Sequence, residues 1–168
     1  EKERYVLDNK NPEIVFTQGY SATNTFYDQM SYFCICTFGG SEDLISLYNR
    51  FEEQQIKDLR LDAFFEVIGD EQYKMSKVGE KVYDCLVIRS AELYLNKAEA
   101  EAMLDKAEAI QTIKTLLNNR FEGGIPDIDG LSGKDLVSFI RDERRRELCF
   151  EAHRWFDLRR YAVSPKYP

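Results

Sequence analysis

The feature that most constrains this fold is a helical repeat of small apolar residues in the second half of the chain. Ile88, Ala91, Leu95, Ala98 and Ala102 recur at spacings of three and four, which places them on one face of a helix. Because most of these side chains are small, a neighbouring helix can approach closely. The pattern predicts a mainly α fold built from antiparallel helical hairpins, with helical character from Asp84 onward.

Two further helices are predicted beyond this one. Asp105 and Lys106 form a tight break, and the apolar positions Ala107, Ile110, Ile113 and Leu117 then mark a second helix. Gly123 and Gly124 end that pair of helices. Ser132, followed by Asp135, is a variant capping box that opens a third helix running to about Ala152. His153–Tyr161 is expected to add a further helical turn or two.

The first half of the chain has a different composition, rich in Tyr, Phe, Gly and Asn. Ile14–Thr17 is predicted to be extended, since it is β-branched and follows a turn. Residues 19–40 fit neither helical nor strand periodicity and are interpreted as a long irregular loop. Ser41 is placed to N-cap a short helix carrying Glu42 and Asp43 in its first turn.

Length and composition favour one globular domain. The 168 residues, 43% of them hydrophobic, suffice for a core, and we interpret residues 1–168 as a single domain with a loop-rich segment, 1–83, and a helical scaffold, 84–168. A net charge of −7 argues against a nucleic-acid partner. The lone histidine, His153, excludes zinc sites that need two. Glu1 opens within a charged, aromatic segment without an apolar leader, so we expect a fragment of a longer protein.

The four cysteines leave their chemistry open. Cys34 and Cys36 lack the spacing of a zinc knuckle, and no second pair completes a set. Buried free thiols are favoured because free cysteine packs as a small hydrophobe, with one disulfide or a metal site as the alternatives.

A group of arginines between Arg141 and Arg160 is interleaved with acids. Pairs such as Asp142 with Arg146, and Glu151 with Arg154, stand four or three residues apart on a helix, where opposite charges meet. A structural ion-pair network is therefore favoured over an anion-binding site.

Two aromatic regions could serve as binding platforms. Trp155 and Phe156 are closely flanked by charge, and we expect them to anchor a helix end in the core. The 19–40 loop has the composition of a sugar site, in which aromatic faces stack on the ring and amides bond the hydroxyls. The candidate ligand residues in this loop are Tyr20, Tyr27, Tyr32, Phe33 and Asn24. Packing against the helices is the alternative role for these aromatics.

The helical segments carry a family resemblance. Ile88–Ala100 reads IRSAELYLNKAEA and is similar to the R-x-A-E-x-Y-L-x-x-A-E-A helix of the SusD/RagB family. Ile140–Leu148, IRDERRREL, and Glu151–Arg160, EAHRWFDLRR, resemble the family's I-x-x-E-R-R-x-E-L and E-G-x-R-W-F-D-L-R-R motifs. Weaker landmarks, Asn11–Phe16 and Ser41–Tyr48, occur in the same order. Ala152 departs from the family's usual glycine, which suggests a slightly different turn.

The resemblance implies a fold and a function. The family is mostly α-helical, with tetratricopeptide-like helical hairpins, long irregular loops and little β structure, and this chain resembles its C-terminal portion. Family members are surface lipoproteins of the outer membrane that bind glycans or other nutrients and deliver them to a SusC-like TonB-dependent transporter. The lipid anchor would lie outside this chain. The family motifs mark the scaffold and carry over no ligand residue, so the tyrosines above rest on composition and loop length alone.

The resulting prediction is non-catalytic binding of an oligosaccharide or other nutrient, with no cofactor and no metal. Catalysis has no positive support, since His153 has no catalytic partner at a matching spacing and no nucleophile or phosphate motif occurs. The main alternative is a helical-repeat module that docks a protein partner and has no sugar site. A glycan-cleaving enzyme is the third hypothesis. Such enzymes use a pair of carboxylates, and no pair is singled out among the 30 acids of this chain.

Overall fold

A computed structural model describes residues 6–7, 11–19, 39–68, 72–77 and 84–168 of the chain. The candidate ligand residues Tyr20, Tyr27, Tyr32, Phe33 and Asn24 lie outside the described residues. The chain forms two compact units, Glu1–Ile45 with Arg60–Ser90 and Ser46–Leu59 with Ala91–Pro168. The interpretation of residues 1–168 as a single domain stays a prediction.

The described residues form six short strands and six α-helices. The strands are β1 (Ile14–Gly19), β2 (Lys57–Asp58), β3 (Phe65–Ile68), β4 (Gln72–Met75), β5 (Asp84–Arg89) and β6 (Phe121–Glu122). The helices are α1 (Glu42–Asn49), α2 (Arg60–Phe64), α3 (Ser90–Met103), α4 (Glu108–Leu117), α5 (Gly133–Glu147) and α6 (Arg154–Ala162). The strands pair only two at a time, so the prediction of a mainly α fold is confirmed.

The first unit holds two antiparallel strand pairs. β1 pairs with β5, with Phe16 opposite Ile88, and β3 pairs with β4 in a hairpin. The extended conformation predicted for Ile14–Thr17 is confirmed. Arg89 is buried, and its Nη1 lies 3.2 Å from Glu13 Oε2, so an ion pair links the two chain segments at the end of the β1–β5 pair where Ile14 is opposite Arg89. Charged groups are buried at low cost only when they are paired in this way.

The second unit has a continuous hydrophobic core. The predicted face of α3 is buried, with Leu95 and Ala98 fully inaccessible, and it packs with Ile113 of α4 and Ile140 of α5. At one end, the Phe51 ring meets Phe121 edge-to-face at 5.9 Å between centroids. The small apolar residues of α3 therefore lie on its buried side, within the helical core, as their spacing predicts.

One predicted boundary is wrong at the start of α3. Asp84–Arg89 forms a strand, and the helix begins only at Ser90. The backbone N–H of Ser90 donates to Glu13 O at 2.7 Å, so the chain leaves the sheet immediately before the helix starts. The short apolar run Cys85–Ile88 fits a strand as well as a helix, and its pairing with β1 decides the outcome.

The helix ends predicted from the sequence are confirmed in part. Ser41 Oγ accepts the Leu44 N–H at 3.3 Å, so the predicted cap of α1 is confirmed. α5 begins after Ser132 as predicted, but the Ser132 side chain makes no capping hydrogen bond there. α5 ends at Glu147 instead of near Ala152, and Ala152 has a left-handed φ of 63°. Glycine adopts that conformation without strain, which explains the family's preference at this position.

Within the described part of the chain, no helix is long and apolar enough to cross a bilayer.

Candidate functional site

Helices α3 and α6, with the residues that flank them, are joined by polar contacts in constant register. His153 Nε2 lies 3.9 Å from Glu92 Oε2, Arg160 Nη2 lies 2.8 Å from Glu99 Oε2, and Lys166 Nζ lies 2.6 Å from Asp105 Oδ2. Each of these pairs is separated by 61 residues in sequence. The two helices therefore advance in step along this side of the second unit.

Glu99 is the centre of this row. Its carboxylate accepts hydrogen bonds from both terminal nitrogens of Arg160, at 2.8 and 2.9 Å, and from Arg141 Nε at 3.1 Å. Burial alone would raise the pKa of Glu99, but the hydrogen bonds and charges of Arg160 and Arg141 outweigh burial and lower it. Glu99 is therefore held ionised inside the scaffold.

Arg144 forms a second buried node between α3, α5 and α6. Its Nε donates to both carboxylate oxygens of Asp157, at 2.8 and 2.9 Å, and its Nη1 donates to Asn96 Oδ1 at 2.7 Å. Arg144 and Asp157 are each only 6% exposed, so the pair is shielded from water. The planar guanidinium suits this geometry, which a lysine could not reproduce.

Arg146 forms a third node, fully buried beneath α5. Its guanidinium binds Glu143 Oε2, donates to Leu47 O at 3.0 Å and lies 3.8 Å from Asp58 Oδ2. Tyr48 Oη donates to Arg146 O at 2.7 Å, so this node ties α1 to α5.

These contacts confirm a structural ion-pair network for Arg141, Arg144, Arg146 and Arg160. The individual pairs differ from those predicted, because Asp142 pairs with Arg50 at 2.8 Å and Arg146 pairs with Glu143. The guanidinium groups face protein carboxylates, which leaves them poorly placed to bind an anionic ligand.

Tyr161 lies within the network without joining it. Its ring is stacked below the guanidinium groups of Arg141, at 4.1 Å, and Arg160, at 4.7 Å. Among the described residues its buried hydroxyl has no hydrogen-bond partner. Burial, together with the negative charges of Asp157 and Glu99, raises the pKa of Tyr161 to about 12.

The prediction that Trp155 and Phe156 anchor in the core is wrong. Trp155 is 66% exposed and Phe156 is 68% exposed. The inner side of α6 is occupied instead by Asp157, Arg160 and Tyr161, whose spacing of three and four residues places them together. Their pairing with Arg144 and Glu99 turns the aromatic pair outward.

The remaining candidate groups are the possible metal ligands and the cysteines. Among the described residues, no group of three His, Cys, Asp or Glu side chains is placed to hold a metal ion. Cys149 is a buried free thiol whose Sγ lies 3.3 Å from Tyr48 Oη. Cys34 and Cys36 lie outside the described residues, and so does the loop that carries Tyr20, Tyr27 and Tyr32. The assignment of a ligand site to that loop stays a prediction.

The helices of the second unit, joined by internal ion pairs, place this protein in the class of helical-repeat folds. The sequence model of the SusD family (SusD_RagB) matches residues 61–167, and the chain belongs to that family. It is 34% identical over 113 residues to SusD-like protein P38 of Formosa agariphila, across 62% of this chain.

A solved structure shares the fold. The chain superposes with a TM-score of 0.59 on a SusD-like carbohydrate binding protein from Bacteroides vulgatus ATCC 8482, with 22% identity and 87% of this chain covered. The prediction of tetratricopeptide-like hairpins is confirmed. Both relatives are much longer, because this chain spans 21% of the Formosa protein and 34% of the Bacteroides chain.

Proposed function

We propose that this chain is the scaffold portion of a non-catalytic surface protein that binds a glycan or other nutrient. The observation that carries the proposal is membership of the SusD family over residues 61–167. The fold is also shared with a protein described as carbohydrate binding. In the proposed mechanism, the protein captures an oligosaccharide and passes it to a SusC-like TonB-dependent transporter in the outer membrane.

The ligand site is proposed to lie in the predicted 19–40 loop, because the buried carboxylates of the scaffold are already paired. The carboxylates of Glu99, Asp157 and Glu143 already accept hydrogen bonds from arginines. A sugar would have to displace those charge-assisted bonds to bind there, at a cost that its hydroxyls could not repay. Tyr20, Tyr27 and Tyr32 supply flat apolar faces for stacking, with Asn24 for a hydroxyl and Phe33 as a further stacking surface.

A non-catalytic role agrees with the same contacts. General acid–base catalysis needs a carboxyl group whose pKa lies near the working pH. The pKa of Glu99 moves in the opposite direction, since Arg160 and Arg141 lower it. Localisation at the outer membrane through a lipid anchor belongs to this proposal.

Affinity electrophoresis in gels that contain single polysaccharides tests the binding site. The full-length protein, this chain, the triple variant Tyr20→Ala, Tyr27→Ala, Tyr32→Ala and a control, Tyr94→Ala, are run side by side. Tyr94 is matched to the loop tyrosines in type but lies on α3, 40% exposed. Retardation of the wild type and of the control, but not of the triple variant, is the expected result.

Other outcomes contradict parts of the proposal. If the triple variant of the full-length protein is retarded as strongly as the wild type, the ligand site does not lie in the predicted 19–40 loop. If no polysaccharide retards any form, glycan binding is wrong, and a docking module without a sugar site becomes the better account. Turnover of a polysaccharide, lost on substitution of one carboxylate, would contradict the non-catalytic role.

A further inference from the structure

The turn at Asp129 and Gly130 carries a chemically reactive dipeptide. It lies in the segment 123–132, between β6 and α5 of the second unit. The Leu131 N–H donates to Ile128 O at 3.1 Å, so Asp129 and Gly130 are the central residues of a β-turn. Both are exposed, and the sequence contains neither a second Asp-Gly nor an Asn-Gly dipeptide. The reactive pair therefore occurs once in the chain, at a position open to water.

An aspartate that precedes a glycine can react with its own backbone. The amide nitrogen of the glycine attacks the side-chain carboxyl carbon, a C–N bond forms, and the amide hydrogen leaves with the carboxyl OH as water. Water then opens the resulting succinimide ring at either carbonyl, which returns aspartate or yields isoaspartate. In isoaspartate the backbone runs through the former side chain. Water is lost and then regained, so the reaction needs no other reagent.

The geometry of the turn leaves both reacting groups accessible. A β carbon on the following residue hinders the attack, and Gly130 has none. A Cβ placed on Gly130 would meet no atom within 4 Å beyond its chain neighbours, so the surroundings do not crowd the amide either. Asp129 Oδ1 lies 2.6 Å from Lys114 Nζ, yet the Asp129 side chain is 69% exposed. Exposed ion pairs of this kind are weak, so the carboxyl group is readily released for ring closure.

Asp127, in the same segment, provides a comparison within the chain. It is exposed like Asp129, but the residue that follows it is Ile128, which is β-branched and only 1% exposed. Asp127 Oδ1 also accepts the Asp129 N–H at 3.1 Å, which holds this carboxylate in a local turn. Ring closure is therefore expected at Asp129 and disfavoured at Asp127.

Isomerisation at Asp129 would disturb the packing on both sides of the turn. Ile128 is buried in the core and Leu131 packs against it, so the dipeptide is bracketed by two core residues. Isoaspartate adds one carbon to the backbone between them and shortens by one bond the arm that carries the carboxylate. The hydrogen bond from Leu131 to Ile128 and the ion pair with Lys114 both depend on the original geometry.

We propose that Asp129 is a site of spontaneous isomerisation to isoaspartate, and that this modification loosens the segment between β6 and α5. The modified form accumulates with the age of the protein and needs no enzyme. Because Ile128 and Leu131 belong to the core of the second unit, the change lowers the stability of the scaffold. The inference depends on the turn alone and is independent of the glycan site.

Incubation of the native full-length protein in water labelled with heavy oxygen tests the proposal. Opening of the succinimide inserts a labelled oxygen atom, which peptide mass spectrometry locates, and electron-transfer fragmentation distinguishes isoaspartate from aspartate. We expect label and isoaspartate at Asp129, and at least about tenfold less at Asp127, a ratio that corresponds to about 1.4 kcal/mol in activation free energy. Lack of label at Asp129, over a time in which the urea-unfolded protein acquires it, shows that the folded turn blocks ring closure and overturns the proposal. Equal labelling of Asp127 and Asp129 contradicts it too.

Two variants of the full-length protein supply matched controls. Asp129→Glu keeps a carboxylate for Lys114 but would have to close a larger ring, so it should acquire no label. Gly130→Ala adds the β carbon for which the structure has room, and it should slow labelling severalfold. The melting temperature of the wild type should fall as isoaspartate accumulates, while that of Asp129→Glu, incubated in parallel, should not. An equal fall in both proteins would show that ageing acts elsewhere and would contradict the proposed loosening.

Discussion

Replacing Ala152 by glycine is expected to stabilise the protein. Ala152 has a φ of 63° in the turn between α5 and α6, and its side chain is exposed. A left-handed conformation costs an L-residue about 1–2 kcal/mol, and glycine escapes that cost. Glycine also loses more entropy on folding, by about 0.5–1 kcal/mol. The difference leaves a net gain of about 0.5–1 kcal/mol, with no packing lost because Cβ contacts solvent.

Urea unfolding followed by circular dichroism measures this gain as a shift of the midpoint at constant m-value. Ala100→Gly is the control, since Ala100 is exposed in the middle of α3, where glycine should cost about 1 kcal/mol. The two substitutions remove the same methyl group and should act in opposite directions. Destabilisation by Ala152→Gly of the same size as that by Ala100→Gly would refute the assignment of strain to this turn.

Two more predictions concern the ion-pair network. Glu99→Gln should cost about 3 kcal/mol at neutral pH, because it removes one partner of a buried pair. Since the pKa of Glu99 is lowered by folding, its stabilisation is present above the unfolded value of 4.5 and is lost as the pH falls through the folded value. Unfolding free energies measured from pH 6 to pH 3 should fall more steeply for the wild type than for Glu99→Gln, and parallel curves would contradict the pairing. Tyr161→Phe should stabilise by about 1 kcal/mol at neutral pH, because it removes a buried hydroxyl without a partner. Folding raises the pKa of Tyr161 from 10.0 to about 12, so the unfolding free energy of the wild type should fall as the pH rises through that range, while that of Tyr161→Phe does not change for this reason. A less stable Tyr161→Phe protein would show that the hydroxyl makes a bond.

Much of the helical scaffold is predictable from residue spacing. The positions Ala91, Leu95, Ala98 and Ala102 repeat at three and four residues, and all four are buried on one side of α3. The same rule is ambiguous for the four-residue run Cys85–Ile88, because such a run has no room to show a helical period. Its strand depends on pairing with Ile14–Gly19, a contact about seventy residues away in sequence that no local pattern displays.

The polar network is only partly predictable, for a related reason. Helical spacing pairs neighbours on one helix, yet Asp142 binds Arg50, which is 92 residues distant. The outward position of Trp155 could have been predicted from Asp157, Arg160 and Tyr161, three polar residues on one side of α6. The expectation that aromatic side chains are buried led to the wrong prediction for Trp155. Asp157, Arg160 and Tyr161 turn their side of α6 inward because they contact Arg144, Asp157 and Arg141, respectively. The candidate ligand residues rest on composition alone, since no spacing rule describes a sugar site.

The constant separation of 61 residues between the polar residues in or beside α3 and their partners in or beside α6 has a consequence for synthesis. At ribosomal rates of about 5–20 residues per second, α3 and α4 leave the ribosome several seconds before Arg160 does. During that interval α3 presents Glu92, Glu99 and Asp105 without His153, Arg160 and Lys166. The side of the nascent α3–α4 hairpin that later contacts α6 is therefore acidic and hydrated. The same carboxylates later form the contacts that hold α6 and its flanking residues beside α3.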